Sequence, residues 1–261
     1  MRLDLYLTSN GYVDSRQRAK VLISSNCVKV NGKMISKAAL DVDDTDEIEV
    51  VGDPIGYVSR GALKLKAAFE HFGLLANGKV AIDVGASTGG FTDFLLESGA
   101  AKVYAVDSGT NQLAEKLKND ARVVSMEKYN ARNLQKSDFP EDIEFAVMDV
   151  SFISQTLIIP SLSTVLAPQA VFVSLVKPQF EAGREAVGKG GIVKNPASRA
   201  MAIKKVINCA AENGFDFCGL TVSPILGGDG NTEYLACFSR GGALQKKETD
   251  IDMLISNIVN V

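Results

Sequence analysis

The chain has 261 residues, 46% of them hydrophobic, enough to bury one or two cores, which excludes disorder along all but its end. No apolar run approaches the roughly 18 residues that span a bilayer. Met1–Asn10 carries Arg2 and Asp4 inside its apolar pattern, so the start does not read as a secretion signal. The formal charge of −3 argues against a nucleic-acid partner, but its distribution argues for one. Arg2, Arg16, Arg18, Lys20, Lys29, Lys33 and Lys37 give residues 1–37 a local balance of +5, and seven acidic residues follow in 41–53. Cys27, Cys209, Cys218 and Cys237 stand singly, with no C-x-x-C and no histidine cluster, the pattern of reduced cytoplasmic thiols.

In chain order, Leu3, Leu5, Tyr6 and Leu7 lead to a turn at Asn10–Gly11. Ser15 is placed to cap a helix over Arg16–Ser24, whose apolar face is Ala19, Leu22 and Ile23 while Arg16, Arg18 and Lys20 point elsewhere. Val28–Val30 and the Asn31-Gly32 pair predict a strand and tight turn, and Ile48–Val50 a closing strand. These elements form a small α+β domain over residues 1–53. A linker follows over 54–59, where Pro54 and Gly56 interrupt regular structure.

Beyond it the pattern predicts an α/β domain over 60–240. A helix over Arg60–Phe72 places Leu65, Phe69 and Phe72 on one face, with Lys64 about a quarter-turn away. Strands are expected at Lys79–Val84, Lys102–Val106, Val123–Met126, Phe145–Asp149 and Ala170–Val176. Helices are expected at Phe91–Ser98, Gln112–Lys118, Ser154–Leu166 and Ala197–Asn213. That alternation is the signature of a Rossmann-like parallel sheet. Phe217–Ser223 and Tyr234–Phe238 flank a turn at Gly227–Asn231, a closing hairpin in the manner of methyltransferase sheets. The tail 241–261 returns to amphipathic spacing at Ile251, Leu254, Ile255 and Ile258, a short helix that would dock on the body or on a partner.

The most informative stretch is V-A-I-D-V-G-A-S-T-G-G-F, Val80–Phe91. A buried strand ends near Asp83 and breaks into a Gly/Ser/Thr loop (Gly85, Ala86, Ser87, Thr88, Gly89) that opens a helix at Phe91. Free N–H groups there favour an anionic ligand group. Asp107 ends the next strand 24 residues after Asp83, where a carboxylate accepts from both ribose hydroxyls of an adenosyl ligand. A dinucleotide fingerprint wants glycine at the middle position, where this chain has Ser87, so the loop points to S-adenosylmethionine. Gly85 and Gly89 are expected to admit the ligand, and Asn130 and Arg132 to border the adenine. Asp149, Lys177 and Glu233 each sit at the edge of an apolar run, at the sheet margin where chemistry is done. His71 has no partner pattern around it and reads as a packing or surface residue.

The motifs R-L-D-x-Y-L, S-R-x-x-A-x-x-L-I, V-x-V-N-G and D-x-I-E-V resemble the S4 RNA-binding module over Met1–Val51. With R-G-A-L-K-L, D-V-G-A-S-T-G-G-F, D-V-S-F-I-S, L-V-K-P-Q-F-E and N-T-E-Y-L in that order, the chain to Arg240 resembles the TlyA (hemolysin A-like) family of rRNA methyltransferases. Their catalytic half is similar to the FtsJ/RrmJ-type 2′-O-methyltransferases. The resemblance implies a Lys-Asp-Lys-Glu tetrad on Lys64, Asp149, Lys177 and Glu233. It implies RNA contacts from Arg2, Arg16, Arg18, Lys20, Lys29, Lys33 and Arg60, and a cytidine ribose in ribosomal RNA as target. Where the family carries R-G-G this chain has Arg60-Gly61-Ala62, and its linker shows Ile55-Gly56-Tyr57-Val58 in place of a basic and aromatic pair.

The tetrad also makes chemical sense alone. A ribose 2′-OH is a weak nucleophile at neutral pH, and a partly buried lysine oriented by a carboxylate suits the developing alkoxide. Lys177 is expected closest to the hydroxyl, Asp149 and Glu233 to orient the ammonium groups, and Lys64 to tune the field and hold ribose or phosphate. No metal is required. The Gly-rich loop Glu181–Asn195, with Arg184 and Lys189, is expected to close over the target nucleotide. The family it resembles includes members with compact termini that modify only the large-subunit RNA. The single residue ahead of R-L-D fits that and the tail 241–261 does not, so the resemblance leans to the large subunit, in the cytoplasm, with the oligomeric state left open. A non-catalytic assembly factor and a membrane-active haemolysin are the alternatives; the intact tetrad argues against the first and the lack of a spanning segment against the second.

Overall fold

The computed structural model describes residues 1–13, 15–51, 56–244 and 250–260, in two compact units, Met1–Ser59 and Arg60–Val261. Residues 54 and 55 of the expected linker, and 245–249 and 261 of the tail, lie outside the described residues.

The first unit contains α1 (Leu3–Ser9), α2 (Arg16–Ser24), β1 (Val28–Val30), β2 (Lys33–Met34) and β3 (Ile48–Val50). Ser15 caps α2 as expected, its Oγ accepting from Arg18 N at 3.2 Å. Val30 pairs with Lys33 across Asn31-Gly32, whose φ values of 50° and 75° are those of a type I′ turn. The three strands form an antiparallel sheet in the order β2-β1-β3. Leu3, Leu7, Ala19, Leu22, Ile23, Val28, Val30 and Val42 fill the core between helices and sheet.

The second unit runs α3 (Gly61–Phe72), β4 (Val80–Val84), α4 (Gly90–Glu97), β5 (Lys102–Val106), α5 (Glu115–Lys118), β6 (Val123–Met126) and β7 (Ile143–Met148). It continues through α6 (Ile159–Val165), β8 (Leu166–Val176), α7 (Pro178–Glu181), α8 (Pro196–Glu212), β9 (Asp216–Val222), β10 (Tyr234–Ser239) and α9 (Ile251–Val259). The seven strands lie in the order β6-β5-β4-β7-β8-β10-β9, parallel except that β10 runs against both neighbours. This is the Rossmann-like methyltransferase sheet, with the expected closing hairpin. Strand order reverses between β4 and β7, so a crevice opens beyond their carboxyl ends.

The central strands β4, β5, β7, β8 and β10 are largely buried on both faces, as a parallel sheet requires, while the edge strands β6 and β9 are partly exposed. Phe69 of α3 packs edge-on against Phe94 of α4 at 4.9 Å and against Phe145 of β7 at 5.3 Å. On the opposite face Ile82, Val84, Phe172 and Phe238 meet Ile203, Val206 and Ile207 of α8. The helix expected over Ser154–Leu166 is two pieces. A 3-10 turn at Gln155–Leu157 precedes α6, and Leu166 is already extended, with ψ 146°. Pro160 is the cause: its ring and missing N–H are tolerated in a helix's first turn and break the interior of a longer one. The helix expected from Gln112 begins only at Glu115, because Asn111 N and Gln112 N donate to the Glu127 carboxylate at 2.7 and 3.1 Å.

The tail docks on its own body. Ile255 and Val259 of α9 join the core of α8, and Asp252 pairs with Lys204 at 2.7 Å. Ile255 is 1% exposed, so Ile255→Ala is expected to lower unfolding stability by about 2–5 kcal/mol in a urea titration. An unchanged midpoint would mean that α9 is not part of this core.

Candidate active site

The loop after β4 is built by close approach. Gly85 (φ 85°) lies where a Cβ would stand 2.6 Å from the Asp149 carbonyl oxygen, and Gly89 (φ 95°) where it would stand 2.2 Å from Leu117 Cδ1. Only glycine fits both the backbone conformation and the space. The atoms that crowd these two positions are the protein's own. Ala86 and Thr88 hold the loop through their backbones, Ala86 N donating to Val106 O and Thr88 O accepting from Ala114 N, while Phe91 is buried at the start of α4.

Asp107 stands across the crevice. Its Oδ2 accepts from Ser87 N at 2.8 Å and its Oδ1 from Gly109 N at 2.7 Å, so the carboxylate is fixed and each oxygen keeps a lone pair. Beside it opens a cavity of about 450 Å³ lined by Gly85, Ser87, Asp107, Asn130 and Asp149, with Val106, Tyr129 and Ile158 as apolar wall. Asn130 also caps the turn that follows, accepting from Arg132 N at 3.1 Å. A carboxylate suited to a diol beside a flat apolar wall fits an adenosyl group. Asp83 lies behind that wall, fully buried, its Oδ2 accepting from Thr92 Oγ1 at 2.7 Å and its Oδ1 without a hydrogen-bond partner among the described residues. Burial, followed by the charges of Asp149 and Asp107, pushes its carboxyl up to about 7.

The four expected tetrad residues come together as two ion pairs. Asp149 follows β7, its N–H donating to Val84 O at 3.0 Å, and Lys177 follows β8. Lys177 Nζ lies 2.5 Å from Asp149 Oδ1 and donates to Ser151 Oγ at 2.8 Å. Tyr234 pairs with Val176 in the antiparallel ladder, which sets Glu233 beside Lys177 at the next position. Glu233 Oε2 takes Lys64 Nζ of α3 at 2.5 Å. Lys64, Lys177 and Glu233 are buried and Asp149 is partly exposed. Gly227 makes room for this pair, since a Cβ there would meet Glu233 Oε1 at 2.4 Å.

Sequence reasoning missed an aromatic pair beside the tetrad. Phe152 is 93% exposed at φ 63°, and its ring packs against Phe180 of α7 at 5.3 Å. A bulky residue in the left-handed region is strained by about 1–3 kcal/mol. Phe152 and Ile153 divide the first cavity from a second of about 450 Å³ lined also by Gln179, Phe180, Arg184 and Val187. The exposed Phe in D-V-S-F-I-S was the available signal, hidden because an isolated Phe reads as core. Buried Glu181 braces this region: Ser154 Oγ donates to it at 2.5 Å, Gln155 N at 2.7 Å, and Lys205 Nζ lies 3.5 Å away. Burial raises its carboxyl above the ordinary value.

The expected RNA-contacting residues divide between the units. In the first, Arg2, Arg16, Lys20 and Lys33 reach solvent, Arg18 is half-buried, and Lys29 pairs with Glu49 at 3.0 Å. In the second, Arg60 is half-buried, and Arg184 and Lys189 are exposed on the loop after α7. Asn231 ties the far half of that loop down, accepting from Val193 N and donating to Gly191 O. His71 is exposed, edge-on to Phe72. Among the described residues no three His, Cys, Asp or Glu side chains are placed to hold a metal, and no helix is long and apolar enough to cross a membrane.

Sheet, crevice and polar strand ends define a Rossmann-like methyltransferase. Residues 57–240 match the family model for FtsJ-like methyltransferases, and residues 1–48 that for the S4 domain. Hemolysin A of Brachyspira hyodysenteriae is 49% identical over 243 residues, covering 91% of this chain and 99% of that protein. The 16S/23S rRNA (cytidine-2′-O)-methyltransferase TlyA of Mycobacterium tuberculosis is 43% identical over 234 residues, covering 89% and 87%. The solved structure of a candidate hemolysin from Streptococcus thermophilus superposes with a TM-score of 0.77 at 42% identity, over 98% of this chain and 94% of that one. The chain belongs to the FtsJ-like methyltransferases and, with its S4 domain, to the TlyA (hemolysin A-like) family.

The raised carboxyl of Asp83 makes a pH-dependent prediction. The folded state keeps its proton to higher pH than the unfolded chain, so stability declines as pH rises from about 4 through about 7 and is level above. Asp83→Asn is expected to melt higher than the parent near pH 8 and with it near pH 4. Parallel melting curves for the two proteins across that range would contradict the assignment.

Proposed function

We propose that this chain transfers a methyl group from S-adenosylmethionine to the 2′-OH of a cytidine in ribosomal RNA, with Lys64, Asp149, Lys177 and Glu233 as the reacting-site tetrad. The two lysine–carboxylate pairs at the strand ends beside the Asp107 cavity, with both lysines buried, carry this reading. When bound, S-adenosylmethionine supplies an electrophilic methyl on a positively charged sulfur. Asp107 would hold its ribose, with Gly85, Ser87 and Asn130 around the rest of the cofactor.

Lys177 Nζ, held by Asp149 and Ser151, faces the oxygen that attacks. Its ammonium stabilises the developing alkoxide, and it takes up the hydroxyl proton as it passes one of its own to the Asp149 carboxylate, which also fixes its direction. Lys64, anchored by Glu233, adds a second positive charge and a grip on ribose or phosphate. Displacement at carbon needs the oxygen, methyl and sulfur in line, so positioning supplies much of the acceleration. Phe152 and Phe180 offer a face on which the target base stacks next to Lys177. With Asn231 pinning residues 191–193, closure over the nucleotide is left to the Arg184–Lys189 half of the loop. A ribosomal substrate, the large subunit favoured, puts this work in the cytoplasm.

The test is transfer of radiolabelled methyl to ribosomal subunits that lack the modification. Alkali-resistant label at one cytidine is expected with the parent protein, and a fall of at least about 100-fold with Lys177→Ala. Phe152→Ala is expected to raise KM for the subunit by a larger factor than it weakens cofactor binding, since the side chain borders both cavities. Tight subunit binding without transfer would instead identify an assembly factor.

A further inference from the structure

In the first unit a carboxylate with no solvent exposure sits beneath two of the basic side chains. Asp4 of α1 is 0% exposed, and its charge is compensated from outside. Arg2 donates to Oδ1 through Nε at 2.9 Å, with Nη2 at 3.2 Å from Oδ2, while Arg16 donates to Oδ2 through Nε at 2.8 Å. The arginines are 41% and 49% exposed. Their inner edges are spent on one buried anion, and their remaining N–H groups face outward from a fixed base.

Two guanidinium groups at this proximity repel each other in isolation. The shared carboxylate removes that repulsion and leaves the trio with one net positive charge and a set spacing. Such a pair matches a phosphodiester, whose two free oxygens accept from planar N–H forks. The two guanidinium contacts hold the Asp4 carboxyl down to about 2, so the trio keeps its charges at any pH at which RNA is handled.

We propose that Asp4 is the positioning residue of a phosphate-binding seat, holding Arg2 and Arg16 as a rigid pair for one backbone phosphate of the RNA substrate. The proposal rests on the rRNA reading above and adds to it a residue that touches no RNA. It predicts a sign that simple electrostatics reverses. Removing a negative charge from a basic surface strengthens RNA binding if only the field matters. If Asp4 acts by positioning, the same change weakens it.

The experiment measures binding of the full-length protein to ribosomal subunits lacking the modification, over a range of salt concentrations. Asp4→Asn is expected to bind about tenfold more weakly, against its gain in positive charge. Arg16→Lys is expected to lose a comparable factor with the salt dependence unchanged, because the charge is kept and the planar fork lost. Asp4→Asn binding as tightly as the parent or more tightly overturns the proposal, as does Arg16→Lys binding like the parent. If melting shows that Asp4→Asn does not fold, Arg16→Lys and Arg2→Lys, at half-exposed positions, decide in its place. Cofactor binding by the second unit should be unchanged in each variant. Failure of the parent protein to bind subunits would count against the rRNA reading, which separates the two failures.

Discussion

Two lysine ammonium groups buried at the end of an apolar sheet are the constraint around which the second unit is arranged. Each would be intolerable there alone, since an unpaired buried charge costs several kcal/mol. Each is made tolerable by one carboxylate at 2.5 Å, Glu233 for Lys64 and Asp149 for Lys177. The partners come from far apart in the chain, 169 residues in the first case. Only the antiparallel insertion of β10 beside β8 brings Glu233 to the right sheet edge. The closing hairpin is thus a requirement of the charge balance as well as of the architecture.

Much of this was legible in the residues because its signals are local. The apolar run of β4, the glycines after it and the acidic end of β5 lie within 28 residues, and the structure assembles them into one crevice wall. Ser15 and Asn31-Gly32 announced a cap and a turn for the same reason. The tetrad was legible as four residues through resemblance; its division into Lys64–Glu233 and Asp149–Lys177 pairs needed the strand register. Pro160 is a local signal that was outweighed by apolar spacing, and the structure sides with the proline.

What stayed hidden depends on contacts between distant segments or on a local exception. Asp4 counted in the sequence as one of two acids against seven bases, and only the fold shows it beneath two of them. Glu181 is one more charged residue after Lys177 until Ser154, Gln155 and Lys205 are seen around it. The tail's amphipathic face said that α9 would dock and left the surface open; the side of α8 answers that.

Phe152 shows what the protein gives up for its site. An exposed aromatic side chain in a left-handed backbone conformation lowers the stability of the free protein and adds a sticky spot to its surface. Selection on stability or solubility alone would replace it with asparagine or glycine, which accept that backbone at little cost. If the target base stacks on it as proposed, keeping phenylalanine trades robustness for activity, and the deficit is present in every molecule between encounters. A stabilising screen that ignores turnover should therefore find position 152 early, and on the proposed reading the variants it selects there would be sturdier and poorer enzymes.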